Sequence, residues 1–205
     1  MLEADALDCE RGGRVLFRGL SLILKPGDRV RVAGENGRGK TSLLRILCGL
    51  LLPTAGEVRW KGTPIGALKE EFSSQLVYVG HAPAVKDELT AAENLAITCR
   101  LAGLPLSRER IAAALASLSV PQDTLVKKLS QGQRRRAALA RLALSEGAPL
   151  WLRDEPFAAR DGAAVAKMEE IVAAHTARGG MVAFTTHQET ALREVRTLDL
   201  GGAAA

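Results

Sequence analysis

Residues 34–41 read GENGRGKT, between an alternating run, RVRVA at 29–33, and an amphipathic run, TSLLRILCGL at 41–50. The alternation predicts a strand and the apolar spacing after it predicts a helix. Glycines at 34, 37 and 39 let the backbone curl so that successive N–H groups face one anion. A helix starting at Lys40 adds the positive end of its dipole. Lys40 can reach β- and γ-phosphates, and the Thr41 hydroxyl can hold Mg²⁺. The stretch fits G-x-x-x-x-G-K-[ST] in the strand–loop–helix setting that pattern needs. The expected nucleotide cradle is Gly34, Glu35, Asn36, Gly37, Arg38, Gly39, Lys40, Thr41 and Ser42. An α/β core follows, because the loop works only at the carboxyl end of a strand.

A phosphate loop calls for an acid at the end of a later apolar strand. WLRDEP supplies one: Asp154 as a metal ligand, and Glu155 to polarise an attacking water. His187 follows another predicted strand, MVAFT at 181–185, where ligand sites of α/β folds gather.

The stretch LSQGQRRRAALARL at 129–142 raises a different question, because three consecutive arginines open its helix pattern. Nucleic acid is a poor answer. Each helical residue turns about 100° from the last, so residues 134–136 spread over about 200° and form no stripe. The chain has a single tyrosine and 3% aromatic residues, too few for a base-stacking platform. The net charge of +5 does not decide, since it suits a nucleotide, an anionic membrane surface or nucleic acid equally well. The better reading is a positive helix start, with the arginines solvated, salt-bridged or adding to the field around a nucleotide.

No apolar run reaches the ~18 residues of a membrane span. The nearest, LLRILCGLLL at 43–52, contains Arg45. The beginning, MLEADALDCERGG, has early acids and no apolar core, so no signal peptide is expected. Cys9, Cys48 and Cys99 are far apart and match no metal spacing, which suits small buried or semi-buried thiols in a reducing compartment.

Strands are expected at 2–8, 21–24, 29–33, 57–60, 76–79, 150–152, 181–185 and near 198, with a turn at Gly12-Gly13. The helix after the phosphate loop should stop at Pro53. Thr90 with Glu93 predicts a capped helix to about 101, and Ser107 another to about 118. Helices are also expected from the arginine stretch to about 144, at 161–177, and briefly from Gln188. The result is one α/β unit over 1–205: a P-loop NTPase core at 1–89 and 146–205, an N-terminal antiparallel β subdomain, and an inserted all-helical subdomain at about 90–145.

With these pieces placed, the chain resembles the ATP-binding cassette ATPases from about residue 2 to 200. LSQGQ is similar to that family's LSGGQ signature, with Gln131 in place of Gly. The resemblance implies ATP and Mg²⁺, and a second copy of the chain. Ser130 and the Gly132 N–H would contact the phosphate held by the partner copy's P-loop, with Gln131 and Gln133 alongside. It implies that Lys40, Glu155 and His187 do the chemistry and that Thr41 and Asp154 hold the metal. Asp161 in FAARD takes the D-loop place, and His81 takes that of the Q-loop glutamine, where it could also meet the metal's water. Three departures stand out. The adenine-stacking aromatic is missing, leaving Arg11 and Arg14. Arg153 stands before Asp154 and Arg160 before Asp161, both at usually apolar places. A buried, unpaired Arg153 would cost several kcal/mol, and pairing it with Glu155 would compete with the work on water.

CER near the start, GH-x-P, LS-x-GQ, DEPF and TTHQ together look like the ATP-binding subunits of the haem exporter complexes of cytochrome c maturation. That implies a peripheral place on the cytoplasmic side of the bacterial inner membrane, against integral membrane subunits. Direct haem contact is not expected, since no histidine has an axial-ligand context. Three alternatives stay open. One is a non-hydrolytic, regulatory cassette, motivated by Arg153 and Arg160. Another is the ATPase of a different small-molecule exporter. The third is a cytosolic cassette, which would usually show two cassettes or a long coiled coil.

Overall fold

The computed structural model describes residues 1–155, 162–186 and 190–201. Two sheets organise them. The antiparallel sheet holds β1 (Leu2–Arg11), β2 (Arg14–Leu24), β4 (Ala55–Trp60) and β5 (Thr63–Pro64) in the order β2-β1-β4-β5. The parallel sheet holds β3 (Arg29–Ala33), β6 (Leu76–Val79), β7 (Leu150–Asp154), β8 (Met181–Thr185) and β9 (Val195–Asp199) in the order β6-β7-β8-β3-β9. β7 and β8 are buried along their whole length, as central strands of a parallel sheet covered on both faces must be.

Alternation along these strands sorts the core into two clusters. Leu150, Leu152, Met181 and Ala183 pack with Leu43, Leu44 and Leu47 of α1 (Lys40–Leu47) and with the antiparallel sheet. Trp151, Val182 and Phe184 point the other way. They pack with α4 (Ala91–Leu101), α5 (Arg108–Ser117), α6 (Gln131–Leu144) and α7 (Gly162–Ala177). The Trp151 ring stacks on His175 at 3.7 Å and 6° between planes. A Cβ at Gly180 would overlap that imidazole, so glycine is required there.

Between residues 91 and 144 the regular structure is helical, with a 3-10 turn at Val126–Lys128. Thr90 and Glu93 form the expected capping box, and Ser107 caps α5. Several expectations need correction. The helix after the phosphate loop ends at Leu47, capped by Cys48 before Gly49, well ahead of Pro53. β5, α2 (Ile65–Leu68) and α3 (Glu70–Ser74) have no counterpart among the expected elements. They are too short to show a period. No helix follows at 190–194, and Gln188 lies outside the described residues. Among the described residues no helix is long and apolar enough to cross a membrane.

Candidate nucleotide site

The loop at 34–39 joins β3 to α1, at the carboxyl end of the parallel sheet. Gly34, Gly37 and Gly39 have φ of 135°, 80° and 96°, all in the region that favours glycine. A Cβ at Gly39 would also crowd Leu16 and Phe17. α1 opens without a side-chain cap and without an acid in its first turn. α4 and α5, by contrast, carry Glu93 and Glu109 there. The N-terminus of α1 is therefore left open to an anion that is not part of its own chain. Lys40 Nζ folds back and donates to the carbonyls of Gly34 (2.6 Å) and Glu35 (3.0 Å), placing its charge over the mouth of the loop. Arg38 and Glu35 pair at 3.6 Å on the rim. Asn36 and Ser42 lie in the same loop and first turn.

Asp154 ends β7 facing α1. Thr41 Oγ1 donates to Asp154 Oδ2 and Thr185 Oγ1 donates to Asp154 Oδ1, both at 2.7 Å. A hydroxyl and a carboxylate oxygen thus sit side by side beside the phosphate loop. This is the hard-oxygen pair that Mg²⁺ takes with phosphate oxygens and water. Among the described residues no three His, Cys, Asp or Glu side chains gather into a metal cage. An ion here would need the nucleotide to complete its shell.

Glu155 follows with φ 57°, a left-handed conformation that costs a residue with a Cβ about 1–3 kcal/mol. Its N–H donates to Thr185 Oγ1 at 2.9 Å. Its carbonyl accepts from Arg135 Nη2 at 2.8 Å, and Oε2 lies 3.8 Å from the same guanidinium. His81 Nδ1 is 3.9 Å from Glu155 Oε2. The Q-loop position therefore meets the carboxylate rather than the Thr41–Asp154 pair. Thr185 and Arg135 escaped the sequence reading. The first stood at an ordinary strand end, and the second was one of three arginines with no partner in view.

Those three arginines diverge as helix geometry requires. Arg134 pairs with Asp87 at 3.0 Å, Arg135 goes to Glu155, and Arg136 lies beside Gly132. Arg153 does not pair with Glu155, one of the two outcomes weighed from the sequence; the other, burial without a partner, holds at Nε and Nη1. It points into the Trp151 face, wholly buried, and its Nε and Nη1 have no hydrogen-bond partner. Burial, with the Arg135 charge adding, pushes its pKa down to about 9, and Asp154 partly offsets this.

At the other end of the helical layer, Ser130 caps α6. Its Oγ accepts from the Gln133 N–H at 3.2 Å, and Gln133 Oε1 accepts from the Ser130 N–H at 3.0 Å. Gln131 and Gly132 form the first turn, which again has no acid. A Cβ at Gly132 would meet nothing closer than 3.7 Å. Among the described residues nothing requires glycine there, which fits a surface kept flat for an outside ligand. His187 and Asp161, with Arg160, lie outside the described residues.

The family comparison agrees with this geometry. The ABC transporter family matches residues 17–158. The chain belongs to the ABC transporter family. Among its ABC relatives, the "Cytochrome c biogenesis ATP-binding export protein CcmA" of Aromatoleum aromaticum is 50% identical, covering 100% of this chain and 97% of the relative. The protein of the same name in Salmonella typhi is 48% identical, covering 100% and 99%. Solved ABC structures share the fold. A putative ABC transporter ATP-binding protein from Pyrococcus furiosus has a TM-score of 0.86 at 24% identity, covering 100% of this chain and 99% of that one. An ATP-binding cassette solved as a post-hydrolysis dimer bound to ADP and Pi has a TM-score of 0.82 at 24% identity, covering 98% and 95%.

Proposed function

We propose that the chain is the ATP-hydrolysing subunit of a membrane export complex in cytochrome c biogenesis, coupling ATP turnover to haem export or to release of haem-loaded chaperone. One observation carries the chemistry: Thr41, Asp154 and Glu155 converge beside an open phosphate loop. The full-length likeness to export proteins of that pathway supports the setting.

In this reading the N–H groups of residues 34–42 cradle the phosphates and Lys40 turns from the loop carbonyls to the β- and γ-phosphates. Thr41 and Asp154 hold Mg²⁺, which neutralises charge developing on the phosphate oxygens. Glu155 orients and polarises the attacking water, and His187 is the further candidate for that chemistry. The site is completed by a second copy, whose Ser130, Gln131, Gly132 and Gln133 present a helix N-terminus to the γ-phosphate. Asp161 holds the D-loop place in the sequence.

The membrane subunits would engage beside His81. Two adjoining clefts of about 770 and 490 Å³ meet at Ala84, Asn94, Thr98 and Arg141, between β6 and the helical layer. Their charged lining is Lys86, Arg45 and Arg141, with no acid. Such a lining suits an apolar segment carrying a carboxylate. Binding there would hold the chain peripherally on the cytoplasmic side of the inner membrane. Cargo and haem would be held by those other subunits, and no nucleic acid is involved.

ATP hydrolysis by the purified protein, alone and with its co-expressed membrane subunits, tests this, with Lys40→Ala as the blank. Turnover should rise with the complex and vanish in the blank. ATP binding without turnover in both settings would instead favour a regulatory cassette, the reading that buried Arg153 motivates. Glu155→Gln should keep ATP binding and lose turnover by about 100-fold or more.

A further inference from the structure

We propose that Arg135 is a positioning residue that ties Glu155 of one ATP site to the nucleotide at the other. The proposal rests on the two-copy reading above. Glu155 sits at φ 57°, so its placement depends on what holds the peptide on each side. Thr185 of the parallel sheet holds its N–H, and Arg135 of α6 holds its carbonyl at 2.8 Å. The guanidinium also lies 3.8 Å from Oε2. An anchor of the water-polarising residue therefore belongs to the helical layer rather than to the core sheet.

Arg135 is directed there. Arg153, in β7 two residues before Glu155, is wholly buried with Nε and Nη1 unpartnered. Its charge and that of Arg135 oppose one another. Arg135 relieves that opposition by turning its head to the Glu155 oxygens.

The same helix starts at Ser130, whose end faces the partner copy's phosphate in the two-copy site. Arg135 lies about 7 Å further along the axis, at 1.5 Å per residue. α6 is a continuous helix of 14 residues with a closed capping box, so displacement of one end is carried to the other. Docking of the Ser130 end on the partner's nucleotide moves the Arg135 head, and with it the Glu155 carbonyl. Each chain thus sets its own catalytic carboxylate according to whether its partner has ATP.

The test uses the protein co-expressed with its membrane subunits, as wild type, Arg135→Ala and Arg135→Lys. Measured are ATP affinity, kcat, KM and the Hill coefficient for ATP. ATP-driven dimer formation is followed with each change placed in a Glu155→Gln background. In Arg135→Ala, ATP affinity and KM should stay within about twofold while kcat falls about tenfold, the effect of losing one charge-assisted hydrogen bond. The Hill coefficient should drop from near two, the number of sites, to about one. Dimer formation should persist, and Arg135→Lys should recover part of kcat. Unchanged kcat and Hill coefficient in Arg135→Ala overturn the proposal. So does loss of the ATP-driven dimer, which would make the residue part of the interface. A Glu155→Gln parent that fails to dimerise with ATP defeats the two-copy reading itself, and shows this before Arg135 is touched.

Discussion

The loop at 34–41 and the turn at 130–133 both end at a helix N-terminus without an acid in its first turn, yet they are finished to different degrees. Around the loop, groups from three elements converge within the chain: Lys40 on the loop carbonyls, Thr41 on Asp154, and Thr185 on both Asp154 and Glu155. Around the turn, the Ser130 and Gln133 side chains cap one another, and a Cβ at Gly132 would meet nothing closer than 3.7 Å among the described residues. In the proposed function one surface is a site and the other is half of one. A chain built this way needs a second copy to use both.

Breaking each surface separately should expose the difference. Lys40→Ala should weaken ATP binding by about 100-fold or more, through loss of a charged phosphate contact. Ser130→Ala should leave ATP binding by an isolated chain unchanged. Its turnover should fall about 10–100-fold, since it removes a donor needed only when charge develops. Equilibrium nucleotide binding and steady-state turnover on both variants check the pair. Equal loss of binding in both would remove the asymmetry. Ser130→Ala should also lose about 1 kcal/mol of stability with its cap.

The sequence reading reached the finished surface more fully than the half-finished one. The loop, Asp154 and Glu155 were legible because phosphate chemistry fixes both residue type and spacing. Strands 29–33, 76–79 and 181–185 were legible to the residue: 181–185, buried along its whole length, and 76–79, at the sheet edge, read as short apolar runs, and 29–33, buried at every second residue, reads as an alternation. Thr185 and Arg135 were not, because their roles come from strand order and helix azimuth, which put residues 31 and 20 positions away against Asp154 and Glu155. Arg153 was legible as an oddity, and of the two outcomes weighed for it, buried without a partner or paired with Glu155, the first holds at Nε and Nη1. Alternation gave the correct face, yet the positive φ at Glu155 turns the chain out of strand geometry before the two side chains can meet.

Two smaller effects sharpen the contrast between core and site. His175 is buried against Trp151, and burial, with Arg178 adding, holds its pKa down to about 4 from an ordinary value near 6.5. Its neutral form is the one the fold accepts. Stability should therefore be full above pH 6.5 and decline as pH falls from there to about 4, by up to about 3 kcal/mol. Urea unfolding across that range, against His175→Gln, checks the slope, which should flatten in the variant. Arg153→Leu removes a buried charge without a hydrogen-bond partner at Nε and Nη1. It should raise stability by about 1–3 kcal/mol in the same assay while leaving ATP affinity unchanged. A destabilised Leu variant would show that the guanidinium is satisfied after all.

The most direct measurement is the mass of Glu155→Gln protein in solution by light scattering, with and without ATP, alone and with its membrane subunits. The account predicts a monomer of 21.8 kDa without nucleotide and a species of twice that mass once ATP is added. Adding Lys40→Ala to the same chain should abolish the shift. A Glu155→Gln chain that binds ATP and stays monomeric, with its membrane subunits present as well, would contradict the shared site.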